Sequence, residues 1–346
     1  MSFSNSSNKI PVKNIYYMLC YVWHRLDEKD EVNIAREDEK DIYNLLARIL
    51  MSRLKLLIKR GFYKEYASIQ ENTPTIKGRI KFPESLNELT FKQAKMYCEF
   101  DELSHDVLHN QIIKTTLYEL MRHQLVNEKT LGDIKKIYPY FQEIQMIRLT
   151  KRIFHQVRVH RTNQQYGFLI DICKFLFDSL LMRKDKDSLE RITDFNQNTP
   201  EMAYLFEGFI RNFYKKELSN SKVGSEHIYW QASGDNLSYL PRMITDTSIE
   251  TNGKKIIIDT KFYQTTLSSN LTSEKIISEN LYQVFAYVSN FKSPNLEKAT
   301  GILLYPKVDQ ELNLSYIILG HPMKIFTVDL SQKWQDIHNR LLEIVA

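Results

Sequence analysis

The sequence predicts an α/β chain, α+β overall: a mostly helical N-terminal domain with a small β element, then a mixed sheet flanked by helices. Three observations predict it. Apolar residues recur at helical spacing through the first half. Beyond residue 200, short strand-like runs alternate with helical ones. Only 10 Gly and 9 Pro in 346 residues leave room for long helices. At roughly 150 residues per domain, the length suits two domains. Residues 182–199 (MRKDKDSLERITDFNQNT) lose the apolar period and carry mixed charge, which marks a linker. The expected division is therefore 1–185 and 186–346.

The elements follow in order. Residues 1–9 are polar and read as disordered. After Pro11, Ile15, Met18, Leu19, Val22 and Trp23 share one helical face, with Asn14 as N-cap. A second helix from about Asp38 repeats the spacing with Ile42, Leu45, Leu46, Ile49 and Leu50, and Gly61 suits its end. Residues 62–82 alternate around Pro74 and Lys77-Gly78-Arg79, as strands joined by a turn do. Helical spacing returns at 108–123, 134–138 and 167–181. Pro200 opens a further helix whose buried face is Met202, Leu205, Phe206, Phe209, Ile210 and Phe213. Strands are expected at 227–231, 237–250 and 255–263. Asn252-Gly253 between the last two is a strong hairpin signal. A helix over 273–290, strands at 301–306, 314–320 and 324–329, and a closing helix from Gln332 complete the reading.

Composition excludes several classes. Hydrophobic residues at 43% and charged residues at 26% are an ordinary globular balance and argue against a disordered chain. No stretch approaches the roughly 18 apolar residues of a membrane helix. The start, MSFSNSSNKI, has no apolar core of a secretory signal, so a cytoplasmic location is expected. Three scattered cysteines fit neither a disulfide framework nor a cysteine zinc site. The nine histidines show no HExxH spacing; His105 and His109 lie four apart with no third ligand nearby. No GxxxxGK[ST] is present, so nucleotide hydrolysis would come from a partner. A net charge of +5 permits a nucleic-acid partner without requiring one.

The chemistry concentrates in Leu240-Pro-Arg-Met-Ile-Thr-Asp246 and Ile256-Ile-Ile-Asp259-Thr-Lys261. Residues two apart on a strand share a face, so Asp259 and Lys261 do. The Asn-Gly hairpin brings Asp246 alongside. Two carboxylates and an ammonium at the rim of a buried sheet are costly unless paired, and a divalent cation is the simplest partner. Two carboxylates, the Thr260 carbonyl and waters suit Mg²⁺. Lys261 would orient or help deprotonate a water that attacks a phosphoryl group. The plainer reading makes both acids solvated strand ends, since D-x-K is a common tripeptide. Glu207, in an otherwise apolar helix, and Gln283 with Tyr287, four apart on another helix, add weight to the catalytic reading.

Asp246, Asp259-Thr260-Lys261 and Gln283-Val-Phe-Ala-Tyr287 together resemble the PD-(D/E)xK nuclease superfamily, in its RecB-like branch. The resemblance implies a restriction-endonuclease-like domain in which Asp246 and Asp259 bind Mg²⁺, Lys261 assists the water, and Gln283 and Tyr287 support the site and the DNA. Glu207 would correspond to the helix acid of that branch. One departure is Thr245, where the superfamily pattern has Pro. A second resemblance spans most of the chain. Ile10-Pro-Val-Lys-Asn-Ile-Tyr-Tyr-Met-Leu19, Ile76-Lys-Gly-Arg-Ile80, Asn110-Gln-Ile-Ile-Lys114, Leu240-Pro-Arg-Met243 and Asn280-Leu-Tyr-Gln283 are similar to the McrC family, nuclease subunits of McrBC restriction systems. That resemblance implies a McrB-like AAA+ GTPase hexamer as partner, DNA carrying modified cytosine as substrate, and an N-terminal domain that docks in the motor ring and stimulates GTP hydrolysis.

Two basic features invite a contact role. Residues 147–162 carry Arg148, Lys151, Arg152, Arg158 and Arg161 without an acid, with Val157 and Val159 alternating as on an edge strand. They read either as a solvated face or as a strip for phosphate or partner. Lys77 and Arg79 flank Gly78 on a turn, read as turn chemistry or as a basic tip reaching into the ring. Tyr16, Tyr17, Tyr21 and Trp23 suit a half-buried helix or an interface. The function expected is a Mg²⁺-dependent DNA endonuclease subunit. The alternatives are a non-catalytic activator of an AAA+ motor and a standalone RecB-like repair nuclease.

Overall fold

The computed structural model describes residues 10–33, 41–181, 200–263, 268–270, 273–293, 298–308 and 310–346. The expected linker at 182–199 and the polar start at 1–9 lie outside these residues. The chain divides into two compact units: Met1–Ile42 with Asp185–Ala346, and Tyr43–Lys184. This differs from the expected partition, because the first helix belongs with the C-terminal residues.

Helix α1 (Val12–Val22) shows why. Tyr17 and Tyr21 face aromatic partners far along the chain. Tyr21 lies 5.6, 5.4 and 5.8 Å, centroid to centroid, from Phe209, Phe213 and Trp334, and its hydroxyl donates to Glu217 Oε1 at 2.8 Å. Asn14 is not the N-cap: Pro11 holds that position. Asn14 is buried, and its Nδ2 donates to the Leu330 and Gln332 carbonyls, each at 2.8 Å. Burying an amide obliges it to find such acceptors.

The Tyr43–Lys184 unit is mostly helical. Helix α2 (Ile42–Arg60) ends at Gly61, whose φ of +90° suits glycine. Next come β1 (Glu65–Thr73), β2 (Arg79–Ile80), α3 (Phe82–Asn87) and β3 (Met96–Ser104). Strand β3 lies between β1 and β2, antiparallel to both. The sequence reading has no strand there: β3 carries Glu99, Asp101 and Glu102 and fully buries only Cys98, so it lacks the apolar alternation that betrays a half-buried strand. Then follow α4 (Leu108–Arg122), α5 (Glu128–Ile137), α6 (Lys151–Gln156) and α7 (Gln165–Leu176). The edge strand expected around Val157 and Val159 does not form among the described residues. Thr150 caps α6 instead, and the Arg158 carbonyl is taken by Asn163 Nδ2 at 3.2 Å, with the His109 ring 3.0 Å away.

The other unit continues with α8 (Pro200–Glu217), β4 (Lys222–Gly224), β5 (His227–Ile228), β6 (Met243–Ile244), β7 (Thr247–Thr251) and β8 (Lys254–Thr260). After these come β9 (Ser268–Asn270), β10 (Ser273–Lys275), α9 (Ser278–Asn290), β11 (Ala299–Pro306), β12 (Asn313–Ile318), β13 (His321–Val328) and α10 (Trp334–Val345). A six-stranded mixed sheet runs β12-β13-β11-β8-β7-β4, with β8, β11 and β13 parallel. The expected strands at 227–231 and 237–250 are shorter and broken, because a 3₁₀ turn at Leu237–Tyr239, capped by Asn236, interrupts them. The helix expected from 273 begins at Ser278, since β10 pairs with β9.

Side chains of β8 alternate between faces. Ile257 joins a buried cluster with Val284, Tyr287 and Val288 of α9. One strand away, Gly301 lets α9 approach the sheet: a Cβ there would sit 2.6 Å from Val284 Cγ1. Just beyond β8, the Phe262 ring packs against Phe206 of α8. No helix among the described residues is long and apolar enough to cross a membrane.

Candidate active site

The hairpin predicted by Asn252-Gly253 forms, with φ of 48° and 72° at its two turn residues. Antiparallel pairing runs from Thr251↔Lys254 to Thr247↔Ile258. One more step in that register sets Asp246 opposite Asp259. The Asp246 carboxylate reaches across: its Oδ2 accepts from the Thr260 amide and from Thr260 Oγ1, each at 2.8 Å. Asp259 is fully buried, yet neither of its oxygens accepts a well-directed hydrogen bond. Lys261 Nζ lies 2.7 Å from Asp259 Oδ2 as an ion pair. The two residues share a face, as their spacing requires.

From Lys261 a hydrogen-bonded chain crosses three elements. Lys261 Nζ donates to Gln283 Oε1 at 3.1 Å. Gln283 Nε2 donates to the Tyr287 hydroxyl at 2.7 Å, and that hydroxyl donates to the Ile244 carbonyl at 3.0 Å. Gln283 and Tyr287 are one helical turn apart, so a single face of α9 serves both. On α8, Glu207 is ion-paired with Arg211, and Arg211 Nε donates to the Asp246 carbonyl at 2.6 Å. The structure thus gathers Asp246, Asp259, Thr260, Lys261, Gln283 and Tyr287, with Glu207 tied in through Arg211.

The sequence reading does not single out Arg211, although its position four residues after Glu207 is a usable signal. Asn280 opens the Asn280-Leu-Tyr-Gln283 run. It is buried, accepts from Tyr263 and donates to Tyr305, fixing the α9 turn that precedes Gln283.

Electrostatics follow from this crowding. Burial pushes the Asp259 carboxyl up to about 7. The Asp246 charge adds to the rise and Lys261 opposes it. For Lys261, burial works against the charge, but the Asp259 carboxylate outweighs it and holds the ammonium above its ordinary range. The Tyr287 hydroxyl is also raised, chiefly by burial. A buried carboxylate beside a second carboxylate, with a single ammonium against it, fits a hard cation that takes oxygen donors. Among the described residues, no group of three or more His, Cys, Asp or Glu side chains could hold a metal ion. The two carboxylates offer oxygen donors only, with no His or Cys among the residues the cluster gathers, the donor type of a hard cation rather than of Zn²⁺.

The six basic residues expected to make contacts all belong to the Tyr43–Lys184 unit, whereas Asp246, Asp259 and Lys261 belong to the other. Lys77 is exposed and lies over the Phe100 ring, 5.0 Å from its centroid. Arg79 stands opposite Glu99 on β3. Gly78 between them has φ +58°, and a Cβ there would come within 2.4 Å of the Glu99 carbonyl, so turn chemistry accounts for the glycine. Arg148, Arg152, Arg158 and Arg161 are exposed. His109 is buried beside Arg158 and Asn163, and His105 pairs with Glu143 at 3.1 Å.

Comparison with known proteins adds the family. A family model described as "McrBC 5-methylcytosine restriction system component" matches residues 3–306. The Escherichia coli (strain K12) protein "Type IV methyl-directed restriction enzyme EcoKMcrBC" is 33% identical over 338 residues, 97% of each chain. Among solved structures, the fold resembles a chain in the assembly of Thermococcus gammatolerans McrB AAA+ hexamers with bound McrC. The TM-score is 0.62 at 16% identity, covering 97% of this chain and 76% of that one. The sequence resemblance and these matches agree: the chain belongs to the family of McrBC 5-methylcytosine restriction system components.

Proposed function

We propose that this restriction-system component is the DNA-cutting subunit, a Mg²⁺-dependent endonuclease of PD-(D/E)xK type. The observation that carries the reading is the fully buried Asp259 carboxylate, set opposite Asp246 and met among side chains by Lys261 at 2.7 Å. Asp246 and Asp259 would hold Mg²⁺, with the Thr260 carbonyl as a further oxygen. Mg²⁺ bound there would supply Lewis acidity to the phosphodiester and acidify a bound water.

The chain's own residues do the rest. The Thr260 amide and hydroxyl fix one oxygen of Asp246, so its carboxylate cannot swing away. Lys261, held as an ammonium, donates hydrogen bonds: it orients a water or steadies charge on a phosphate oxygen. Gln283 receives one Lys261 hydrogen bond and is itself held by Tyr287, which leaves the ammonium a narrow range of positions.

The relative bound to AAA+ hexamers suggests the partner: a McrB-like GTPase ring that engages DNA carrying modified cytosine, and whose GTP hydrolysis this chain stimulates. The exposed Lys77, Arg79, Arg148, Arg152, Arg158 and Arg161 would contact that ring or the DNA.

The test is cleavage of methylated and unmethylated DNA by the chain with its ring partner, GTP and Mg²⁺. Asp259→Ala and Asp246→Ala should each abolish cutting while GTP hydrolysis stays stimulated. Wild-type cutting by Asp259→Ala would refute the site. Stimulated hydrolysis without cutting by the wild-type chain would favour a pure activator. Cutting without ring or GTP would favour a standalone nuclease.

A further inference from the structure

Asp246 occupies a bend between β6 and β7, outside the ladder that fixes its neighbours. Its main chain therefore depends on other ties. Thr245, one residue earlier, is anchored: its amide donates to the Glu226 carbonyl at 2.9 Å. At Asp246 itself the carbonyl accepts from Arg211 Nε at 2.6 Å. The same guanidinium carries the ion pair to Glu207. A guanidinium is planar, so binding two acceptors at once fixes its orientation as well as its position. Both Glu207 and Arg211 rise from α8, a helix whose opposite face is pinned by Phe206, Phe209 and Phe213 in the core. The pair thus transmits the position of a rigid helix to the bend that carries an acid. Charge points the same way. Asp246 and Glu207 both add to the rise of the Asp259 carboxyl, which places Glu207 and its Arg211 partner beside the two acids.

We propose that Arg211 is a positioning residue: it locks the Asp246 bend to α8, and Glu207 acts on the site by orienting Arg211 rather than by meeting the cation itself. This rests on Asp246 and Asp259 being the cation ligands. Residues that orient metal ligands typically cost 10–100-fold in metal affinity when removed. Without that tether the Asp246 backbone is free to shift relative to α8, and the carboxylate that Thr260 holds by one oxygen loses its fixed distance from Asp259.

The experiment is a Mg²⁺ titration of the full chain, read by calorimetry and by the rise in thermal midpoint over the EDTA-treated state. Arg211→Met should weaken Mg²⁺ binding by about 10–100-fold, and Arg211→Lys should recover part of the loss. Glu207→Gln should do less harm than Arg211→Met, because the amide oxygen still accepts from the guanidinium. A purely structural arginine would lower the cation-free midpoint and leave the Mg²⁺-induced rise intact. Wild-type affinity in Arg211→Met overturns the proposal. So does a greater loss in Glu207→Gln than in Arg211→Met, which would place the Glu207 carboxylate on the cation. Should Arg211→Met fail to fold, Arg211→Lys carries the test: wild-type affinity there, with Glu207→Gln impaired, also overturns it. No Mg²⁺ binding by the wild-type chain would instead remove the ligand assignment on which the proposal rests, and the proposal with it.

Discussion

Replacing Asp259 by Asn should stabilise the cation-free chain. Asp259 is fully buried, and its carboxyl titrates near 7 in the folded chain against an ordinary 3.8. At 1.36 kcal/mol per pKa unit, ionised Asp259 costs folding on the order of 4 kcal/mol at pH 8. The sign is that of a raised acid. The folded chain binds the proton more tightly, so the penalty is absent below about pH 4, grows as pH rises, and levels off above the folded value near 7. Asn keeps the size and removes the charge. It also deprives Lys261 of its ion-pair partner at 2.7 Å, which offsets part of the gain. The expected net stabilisation is about 1–3 kcal/mol at pH 8, shrinking towards zero by about pH 4. The assay is urea unfolding of both chains in EDTA from pH 4 to 8. With saturating Mg²⁺ the order should reverse, because only the wild-type chain gains binding energy. An Asn variant that is less stable than wild type at pH 8 without cation, or a difference that does not change with pH, would refute the electrostatic reasoning.

Other outcomes follow from the same geometry. Tyr287→Phe removes the hydroxyl that joins Gln283 to the Ile244 carbonyl; it should cost about 1 kcal/mol in urea unfolding and slow cleavage without abolishing it. Gly301→Ala forces a Cβ against Val284 and Met323; the expected loss is about 1–3 kcal/mol, read as a lower thermal midpoint. Asn14→Leu strips the Leu330 and Gln332 carbonyls of their donor; about 1–3 kcal/mol should be lost by the same measurement. Gly78→Ala should destabilise the β1–β3 region, seen as faster amide exchange there, while cation binding in the other unit is unchanged.

Much of the site was legible because it rests on local rules. Period two placed Asp259 and Lys261 on one face, Asn-Gly fixed a two-residue turn, and a spacing of four joined Gln283 to Tyr287. Each rule needs only neighbours in sequence. What was missed depends on distant partners. Asn14 looks like a cap until Leu330 and Gln332 supply its acceptors. Helix α1 looks like the start of an N-terminal domain until Tyr21 meets Phe213 and Trp334. Strand β3 carries Glu99, Asp101 and Glu102 and fully buries only Cys98, so no apolar alternation announces it. Arg211 lay within reach, but its meaning depends on the Asp246 carbonyl, 35 residues away in sequence.

The central claim is that Asp246 and Asp259 share one hard cation. Anomalous diffraction from a crystal soaked in Mn²⁺ tests it most directly. The account predicts one strong peak within about 2.0–2.6 Å of an oxygen from each carboxylate, lost in Asp259→Asn. A peak bound to only one of the two acids, or no peak in a site where Asp259 still contacts Lys261 alone, would contradict it.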